Sequence, residues 1–435
     1  MAFGKSDVAA GDAPEITEDS YRAQVQTDLP RNYAVSLAHG MFGMTGFRLI
    51  NAPTFVPAYI FLLSGSEIAV GAALASQHFG SALTAIWGAT LIEHRKRVLP
   101  VGNVVGMLLR AQLLGLAITG YFLAGEWALI TACLFLGLFG LFNGMQSVIF
   151  HFLLSKVIPV YQRGRLTGMK NFLGGLSAAA VAFLGGKYLV QTNAFGNGYA
   201  STFMAAFILT SLGLIALSFM REPEPPQVRA PSRLWSRVRE LPALLRSDHA
   251  FTYFFVARAL ASLGMAAVPF YALYAGKWIG LSGVNLGYLS LAFLLAQTMS
   301  NLGWGWIADR RGNRLVFLLS VGLWLIAAAG LMMSQTLPVF LLVFCGLGAG
   351  LGGFQIASQN MVFEFGNRDD LPMRIAVSDT ASYLMMAAGP LLGGFVAHHY
   401  SYSSMFLLVI GVKLAALMLV GLLVSEPRRL SVARR

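Results

Sequence analysis

Charged side chains are scarce in this chain. Asp, Glu, Lys and Arg together make up 11% of the 435 residues, whereas hydrophobic residues make up 56%. A soluble domain typically carries about 25% charged residues. Because so few charges cannot cover the apolar surface of a chain this long, the composition argues against a soluble globular protein.

Cysteine is nearly absent, and so are the motifs of chemical catalysis. Cys133 and Cys345 both lie within apolar runs, without the ligand spacing of a metal site. We find no ATP-binding signature and no nucleophile arrangement. The glycines of 164–168 and 346–353 follow no predicted strand, so we interpret them as helix-packing positions rather than phosphate loops. We therefore expect no enzymatic activity, no cofactor and no metal.

Long apolar runs are what the sequence does contain. Each is long enough to cross a hydrocarbon layer of roughly 30 Å, and lipid leaves a helix as the favoured form of such a run. The sequence thus predicts an all-α membrane protein with twelve transmembrane helices. The twelve predicted spans are 33–63, 67–92, 98–122, 126–153, 165–190, 199–220, 250–278, 283–307, 313–333, 337–364, 371–398 and 402–424.

The distribution of basic residues predicts the orientation in the membrane. The net charge is +12, and Lys and Arg concentrate at the chain ends and in every second loop. This pattern follows the positive-inside rule rather than forming a surface for nucleic acid. We expect a multi-pass protein of the bacterial inner membrane with both termini in the cytoplasm, and we expect its partners to be the lipid bilayer and small molecules.

The predicted spans divide into two sets of six. We expect an N-terminal cytoplasmic tail, two six-helix bundles separated by a proline-rich linker that ends in an interfacial helix, and a basic C-terminal tail. The predicted boundaries are 1–32, 33–220, 221–249, 250–425 and 426–435.

The two sets repeat each other in sequence. Gln146 and Gln355 are 209 residues apart, as are Arg165 and Arg374. "VPAY" (56–59) matches "VPFY" (268–271), and "GATLIEHRKR" (88–97) matches "GWIADRRGNR" (305–314). Parallel repeats of this kind are one known plan of secondary transporters, with the substrate site between the repeats.

The loop "GWIADRRGNR" resembles the signature between the second and third helices of each half in the major facilitator superfamily. The matching residues are Gly305, Asp309, Arg310, Gly312 and Arg314. The resemblance extends over residues from about 33 to 425. The first-half copy departs from the pattern: its acid, Glu93, is displaced by one residue, and the turn glycine is missing.

The resemblance implies a cytoplasmic gate made where helix ends of opposite halves meet. Asp309 would then face Arg163, Arg165 and Lys170, and Glu93 would face Arg374. The alternative is that these charges only fix the topology.

Charged side chains inside predicted spans are the candidate site residues, because burying them in lipid is costly. Arg48 and Arg258 lie on spans 1 and 7, which line the cavity in this family, and we expect a small organic anion between them. An alternative for Arg48 is donation to backbone carbonyls freed by Pro53 and Pro57. Amides predicted to line the cavity, or simply to join helices, are Asn143, Gln146, Gln355, Gln359 and Asn360.

Two titratable residues are candidates for ion coupling. Asp379 is the clearest acid at depth, and His78 also lies within a span. The alternative is that Asp379 and its repeat counterpart Lys170 are a pair of gate charges one turn above the loop motifs. We expect protons or another ion to be coupled to transport.

These observations predict a secondary active transporter that works by alternating access between the two bundles and functions as a monomer. A drug or metabolite efflux antiporter is an alternative. "GPLLGG" (389–394) resembles the antiporter motif, but span 5 reads "VAFLGG" without a proline, and the arginine that those antiporters often carry in span 4 is missing. A further alternative of another class is a non-transporting sensor or assembly factor with the same fold.

Overall fold

A computed structural model describes residues 17–92, 95–226, 245–246, 248–365 and 371–424. These residues form twelve helical spans, and no strand occurs among them. The helices of the first half are α1 (Glu18–Asn51 and Phe55–Ser64), α2 (Glu67–Ile92), α3 (Leu99–Phe122), α4 (Gly125–Val157), α5 (Val160–Leu184) and α6 (Gly198–Ser218). Those of the second half are α7 (His249–Leu263 and Tyr271–Ile279), α8 (Gly283–Arg311), α9 (Asn313–Met332), α10 (Leu337–Glu364), α11 (Leu371–His399) and α12 (Tyr402–Leu423).

The fold class predicted from the sequence is confirmed. Within the described part of the chain, ten stretches are long and apolar enough to cross a membrane. The two remaining helices, α2 and α8, carry polar side chains that the fold buries. These include Gln77, Ser81, Ser290 and Gln297.

Helix α1 begins at Glu18 rather than at the predicted residue 33. The Thr17 side chain caps its first turn. Asp28 forms a salt bridge of 3.0 Å with Arg221, which follows α6. Because such partners are distant in sequence, local composition suggested an unstructured tail where the structure has a helix. The other predicted tail and linker segments, 1–16, 227–244 with its interfacial helix, and 426–435, lie outside the described residues.

Helices α1 and α7 are interrupted at repeat-equivalent places. In α1 the break comprises residues 52–54, directly before "VPAY". In α7 a 3-10 turn spans Gly264–Phe270 and contains Pro269 of "VPFY". Proline removes a backbone donor from a helix, and each break contains one, Pro53 in α1 and Pro269 in α7.

The two halves, α1–α6 and α7–α12, meet most closely at one end of the molecule. We call this the distal end; the opposite, terminal end carries the loops α2–α3, α4–α5 and α8–α9 and the start of α1. At the distal end, a Cβ on Gly71 of α2 would lie 2.2 Å from the Pro390 carbonyl oxygen of α11. A Cβ on Gly186, just after α5, would lie 2.4 Å from the Gly283 carbonyl oxygen of α8. Glycine therefore allows two backbone-to-backbone seams, α2–α11 and α5–α8, to close the distal end.

Candidate functional site

A cavity of about 360 Å³ lies between the two halves. Both helix breaks contribute to its wall, through Pro53 and Pro57 of α1 and Pro269 of α7. Among the residues predicted for the site, Arg48, His78, Asn143 and Gln355 line this cavity. It also contains polar residues that the sequence analysis missed, which are Asn51, Gln77, Ser81, Gln297 and Tyr383. Asn51 lies three residues after Arg48, and Ser81 lies three residues after His78. Residues at this spacing share one face of a helix, which would have indicated Asn51 and Ser81.

Arg48 reaches across the cavity from the first half to the second. Its Nη1 donates to Thr298 Oγ1 of α8 at 3.0 Å. A Cβ on Gly175 of α5 would lie 2.4 Å from Nη1, so this glycine leaves room for the guanidinium. No carboxylate pairs with Arg48 within the described ranges. The bond to Thr298 takes the place of the expected alternative, donation to backbone carbonyls at the break of α1.

Amide side chains form two pairs in the same wall. Gln77 Nε2 of α2 donates to Asn51 Oδ1 of α1 at 2.7 Å. In the second half, Gln297 Nε2 of α8 donates to Gln355 Oε1 of α10 at 3.2 Å. Each pair holds amides in place and leaves further donors and acceptors for a bound solute.

Arg258 lies in a different, smaller cavity of about 180 Å³ that shares part of its wall with the first. Its Nη2 donates to Asp379 Oδ1 of α11 at 2.6 Å. The arginine side chain is 7% exposed, whereas the aspartate is 45% exposed. We expected Arg48 and Arg258 to face one anion. In this conformation they line different cavities, and Asp379 neutralises Arg258. Lys170, the expected counterpart of Asp379, instead lies 4.6 Å from the ring centre of Phe150.

Three predicted amides lie away from the larger cavity. Gln146 is buried in α4, and its Oε1 accepts no hydrogen bond from the described residues. Gln359 lines the smaller cavity. Asn360 donates to Asn313 Oδ1 at 3.4 Å, at the terminal end of the second half.

The gate contacts predicted for Asp309 are not formed among the described residues in this conformation. Asp309 is exposed, and no salt bridge joins it to another described residue. Arg163 donates to the carbonyl oxygens of Ile158 and Ser155 in its own half. Arg165 is exposed. Glu93 lies outside the described residues.

Arg374, the expected partner of Glu93, pairs within its own half. Its Nη1 lies 2.7 Å from Asp248 Oδ2, directly before α7. Its guanidinium also lies 4.5 Å from the ring centre of Phe251. Asp248 is fixed as the N-cap of α7, so an acid of the second half holds this buried arginine.

The terminal ends of α5 and α8 stand apart. A Cβ built on Gly164 or Gly168 of α5 would meet no atom within 4 Å, and the same holds for Gly303 and Gly305 of α8. With seams at the distal end and open space here, the cavity faces the terminal end.

The motif loop itself turns as the signature implies. Gly312 ends α8 with φ +93°, a conformation that favours glycine. Arg314 donates to the carbonyl oxygens of Val420 and Gly421 near the end of α12, at 3.3 and 2.7 Å. Arg310 lies 4.2 Å from the ring centre of Trp306. Two of the motif's arginines thus have partners within the second half.

The corresponding turn of the first half depends on a residue that the sequence analysis missed. Glu222, which follows α6, accepts hydrogen bonds from the N–H groups of Val98 and Leu99 at the start of α3, each at 2.8 Å. It also pairs with the buried Lys156 of α4. A carboxylate at this position stabilises the positive end of α3.

Comparison with known proteins bears on the second half most directly. Residues 254–435 match the family model described as Major Facilitator Superfamily. Multidrug resistance protein MdtG of Salmonella choleraesuis is 27% identical over 175 residues, which cover 40% of this chain and 43% of that protein. The Serratia proteamaculans protein of the same name is 29% identical over 180 residues, which cover 40% and 42%. The chain thus matches less than half of the length of these relatives.

Three solved structures share the fold over most of the chain. A D-xylose-proton symporter superposes with a TM-score of 0.72 at 14% identity and covers 92% of this chain and 99% of its own. The nucleoside transporter NupG gives 0.67 at 12% identity, with 89% and 99% covered. The human organic anion transporter MFSD10 gives 0.65 at 14%, with 90% and 99% covered. The second half of the chain is thus similar to the Major Facilitator Superfamily, and the chain shares its fold with these three solved transporters.

Proposed function

We propose that the protein is a secondary active transporter that moves a small organic solute by alternating access. The observation that carries the proposal is the cavity between two repeated halves, which is sealed by glycine seams at the distal end and faces open space at the terminal end. Exchange of the closed and open ends would carry a solute across the membrane. The cavity is built by one chain, which fits a monomer.

The orientation follows from the charge bias of the loops. Lys and Arg concentrate at the terminal end, which we assign to the cytoplasm of a bacterial inner membrane. The conformation described above is then the one that faces the cytoplasm, with the distal end closed on the outer side.

We assign the binding of a small organic anion to Arg48. It lines the larger cavity without a carboxylate partner among the described residues, whereas Arg258 is already neutralised by Asp379. A volume of about 360 Å³ lies at the lower end of the range for small-molecule sites. The guanidinium binds a carboxylate or phosphate, and the neighbouring amides contact the polar groups of the solute. Those amides are Asn51, Gln77, Asn143, Gln297 and Gln355.

We assign proton coupling to Asp379. Its carboxylate is partly exposed to the smaller cavity, so a proton can reach it. Protonation would end its ion pair with Arg258 and leave an uncompensated cation beside the solute cavity. The proton would thereby favour binding of an anion. We therefore expect symport of a proton and the anion. His78, the other candidate, lines the larger cavity and stays a prediction.

Efflux of drugs is the second candidate function, since two relatives that are similar in sequence are multidrug resistance proteins. The cavity wall supports it through apolar residues such as Ile50, Val56 and Leu74. A drug exporter would bind apolar or cationic compounds and would tolerate the loss of Arg48.

Solute counterflow in proteoliposomes tests transport against the sensor or assembly role, because a protein that only binds gives no counterflow. Candidate ligands come from a thermal-shift screen of the purified protein against a panel of organic anions, cations and neutral compounds.

The Arg48→Lys variant then tests the assigned anion site. It keeps the charge but loses the planar fork, so we expect affinity for the ligand to fall roughly tenfold or more. Arg258→Lys is the matched control and should change affinity less. A cationic ligand, or unchanged affinity in Arg48→Gln, would overturn the anion assignment.

Asp379→Asn tests the coupling. The amide cannot carry the proton, so we expect uphill accumulation to disappear while solute exchange continues. Accumulation that remained pH-dependent in this variant would return Asp379 to a structural role.

A further inference from the structure

A contact between a histidine and a carboxylate joins the two halves at the closed distal end. His398 Nδ1, near the end of α11, lies 3.3 Å from Glu67 Oε2 at the start of α2. The Tyr402 hydroxyl, at the start of α12, donates to Glu67 Oε1 at 3.1 Å. The first half thus supplies the carboxylate, and the second half supplies both of its side-chain partners. We call Glu67, His398 and Tyr402 the distal latch.

The latch lies directly on one of the glycine seams. A Cβ on Gly394 of α11 would lie 2.5 Å from the carbonyl oxygen of Glu67, so the backbones of α2 and α11 are in contact there. The Glu67 side chain is 13% exposed and that of His398 is 45% exposed. Water on the distal side therefore reaches the imidazole while the carboxylate is largely enclosed. An interaction at this place must break when the distal end opens.

The charged and titratable groups around His398 come from four helices. Glu67 approaches from α2 and Tyr402 from α12. Lys277 of α7 lies 4.2 Å from the ring centre of Tyr402 and adds positive charge near Glu67. His399, the neighbour on α11, has its ring centre 5.2 Å from that of His398, and its Nδ1 is hydrogen-bonded to the Phe395 carbonyl oxygen. Glu67 is thus the one acid of this group.

We propose that the distal latch is a pH-responsive clasp that sets the balance between the distally closed and distally open conformations. A protonated His398 attracts the Glu67 carboxylate and holds the distal end closed. Histidine loses its charge between pH 5 and 8, so raising the pH on the distal side weakens the clasp and favours opening. At a pH low enough to protonate Glu67, the clasp loses its carboxylate, and further acidification weakens it.

The latch is separate from the coupling site. Asp379 faces the smaller cavity within the second half, whereas the latch joins the two halves at their distal end. Like the proposed function, the latch requires that the distal end opens, but it requires neither a substrate nor a coupled ion. Its test can therefore use the ligand-free protein.

The experiment measures the distance across the distal end by pulsed electron paramagnetic resonance. Spin labels go on the variants Ala124→Cys and Gln335→Cys, at exposed loop positions in the two halves. The background carries Cys133→Ser and Cys345→Ser, and also Asp379→Asn so that titration of the coupling site does not contribute. The full-length protein is studied in lipid nanodiscs at pH 6 and pH 8.

We expect the ratio of closed to open protein to rise roughly two- to fivefold from pH 8 to pH 6, the range that a partly exposed ion pair supports. Glu67→Gln and His398→Gln should each abolish this pH response, whereas the control His399→Gln should retain it. A pH response that survives in His398→Gln, or a parent protein whose ratio does not change with pH, would overturn the proposal. Counterflow by the same variants reports on transport separately, so a failed latch leaves the proposed function testable.

Discussion

The turn between α8 and α9 and its counterpart between α2 and α3 are stabilised by different parts of the chain. In the second half, Gly312 adopts the required positive φ, and Arg314 contacts the end of α12. In the first half the turn glycine is missing, and Glu222 from beyond α6 caps α3 and pairs with Lys156. A degenerate motif can thus be replaced by a distant carboxylate, because the end of a helix needs only a suitably placed acceptor.

The two halves also differ in how well their sequences match known families. The family model matches residues 254–435, which contain the complete motif, and not the half with the displaced acid. The folds of the halves are nevertheless alike, with six helices each and repeat-equivalent breaks in α1 and α7. A half can thus keep its helix packing where its copy of the signature is incomplete.

Removing the distant carboxylate should have the largest effect on stability. Glu222→Gln leaves the buried Lys156 without its partner and weakens two hydrogen bonds at the start of α3. Breaking a buried pair typically costs about 3–5 kcal/mol, so we expect a marked fall in the midpoint of thermal unfolding of the purified protein.

The control for Glu222 is Glu224→Gln, whose pair with Arg97 is largely exposed and is worth under about 1 kcal/mol. The double variant Glu222→Gln with Lys156→Met should recover part of the loss. Equal midpoints for the Glu222 and Glu224 variants would contradict the assigned role of Glu222.

Filling a seam should next affect conformation. Gly186→Ala places a methyl group against the backbone of Gly283, and overpacking of this kind costs about 1–3 kcal/mol. We expect the distal end to open, which cysteine labelling from the distal side would detect. Gly71→Ala should do the same at the other seam. Gly411→Ala is the control, since a Cβ there meets no atom within 4 Å; closed seams in both variants would mean that the halves do not separate there.

Substitutions in the two turns test whether each half depends on the local residues of its turn. Gly312→Ala forces a side chain into a conformation that only glycine adopts readily, and we expect a loss of about 1–3 kcal/mol. At the 217-residue offset its counterpart is Arg95, which donates to the Leu91 carbonyl oxygen from the surface. Arg95→Gly should change the unfolding midpoint little. A larger loss for Arg95→Gly would show that both turns depend on their local residues.

The smallest effect on stability is expected for Asp309→Asn, because this exposed carboxylate has no ionic partner among the described residues in the present conformation. Its predicted role is to close the terminal end in the other conformation. We therefore expect a nearly unchanged unfolding midpoint but greater labelling of cysteines placed at 163–170 from the terminal side. Unchanged labelling would remove Asp309 from the gate.

Several features could be predicted from single residues and their spacing. The twelve spans follow from apolar runs, and the two helix breaks occur at prolines, Pro53 and Pro269. Gly312 was identified from its motif, and the structure gives it the positive φ that a tight turn needs. Such features depend on chemistry that acts within a few residues, so the sequence is sufficient to find them.

The sequence by itself determined the membrane-spanning class, the repeat and the placement of basic residues, because hydrophobic length and charge are local properties. Only the tertiary structure decided which charges meet. Asp379 neutralises Arg258, Asp248 pairs with Arg374, Glu222 replaces a missing cap, and Glu67 meets His398 across the two halves. Each of these pairs joins residues that are far apart in sequence, and their contact depends on the rotation and tilt of packed helices, which no local pattern records.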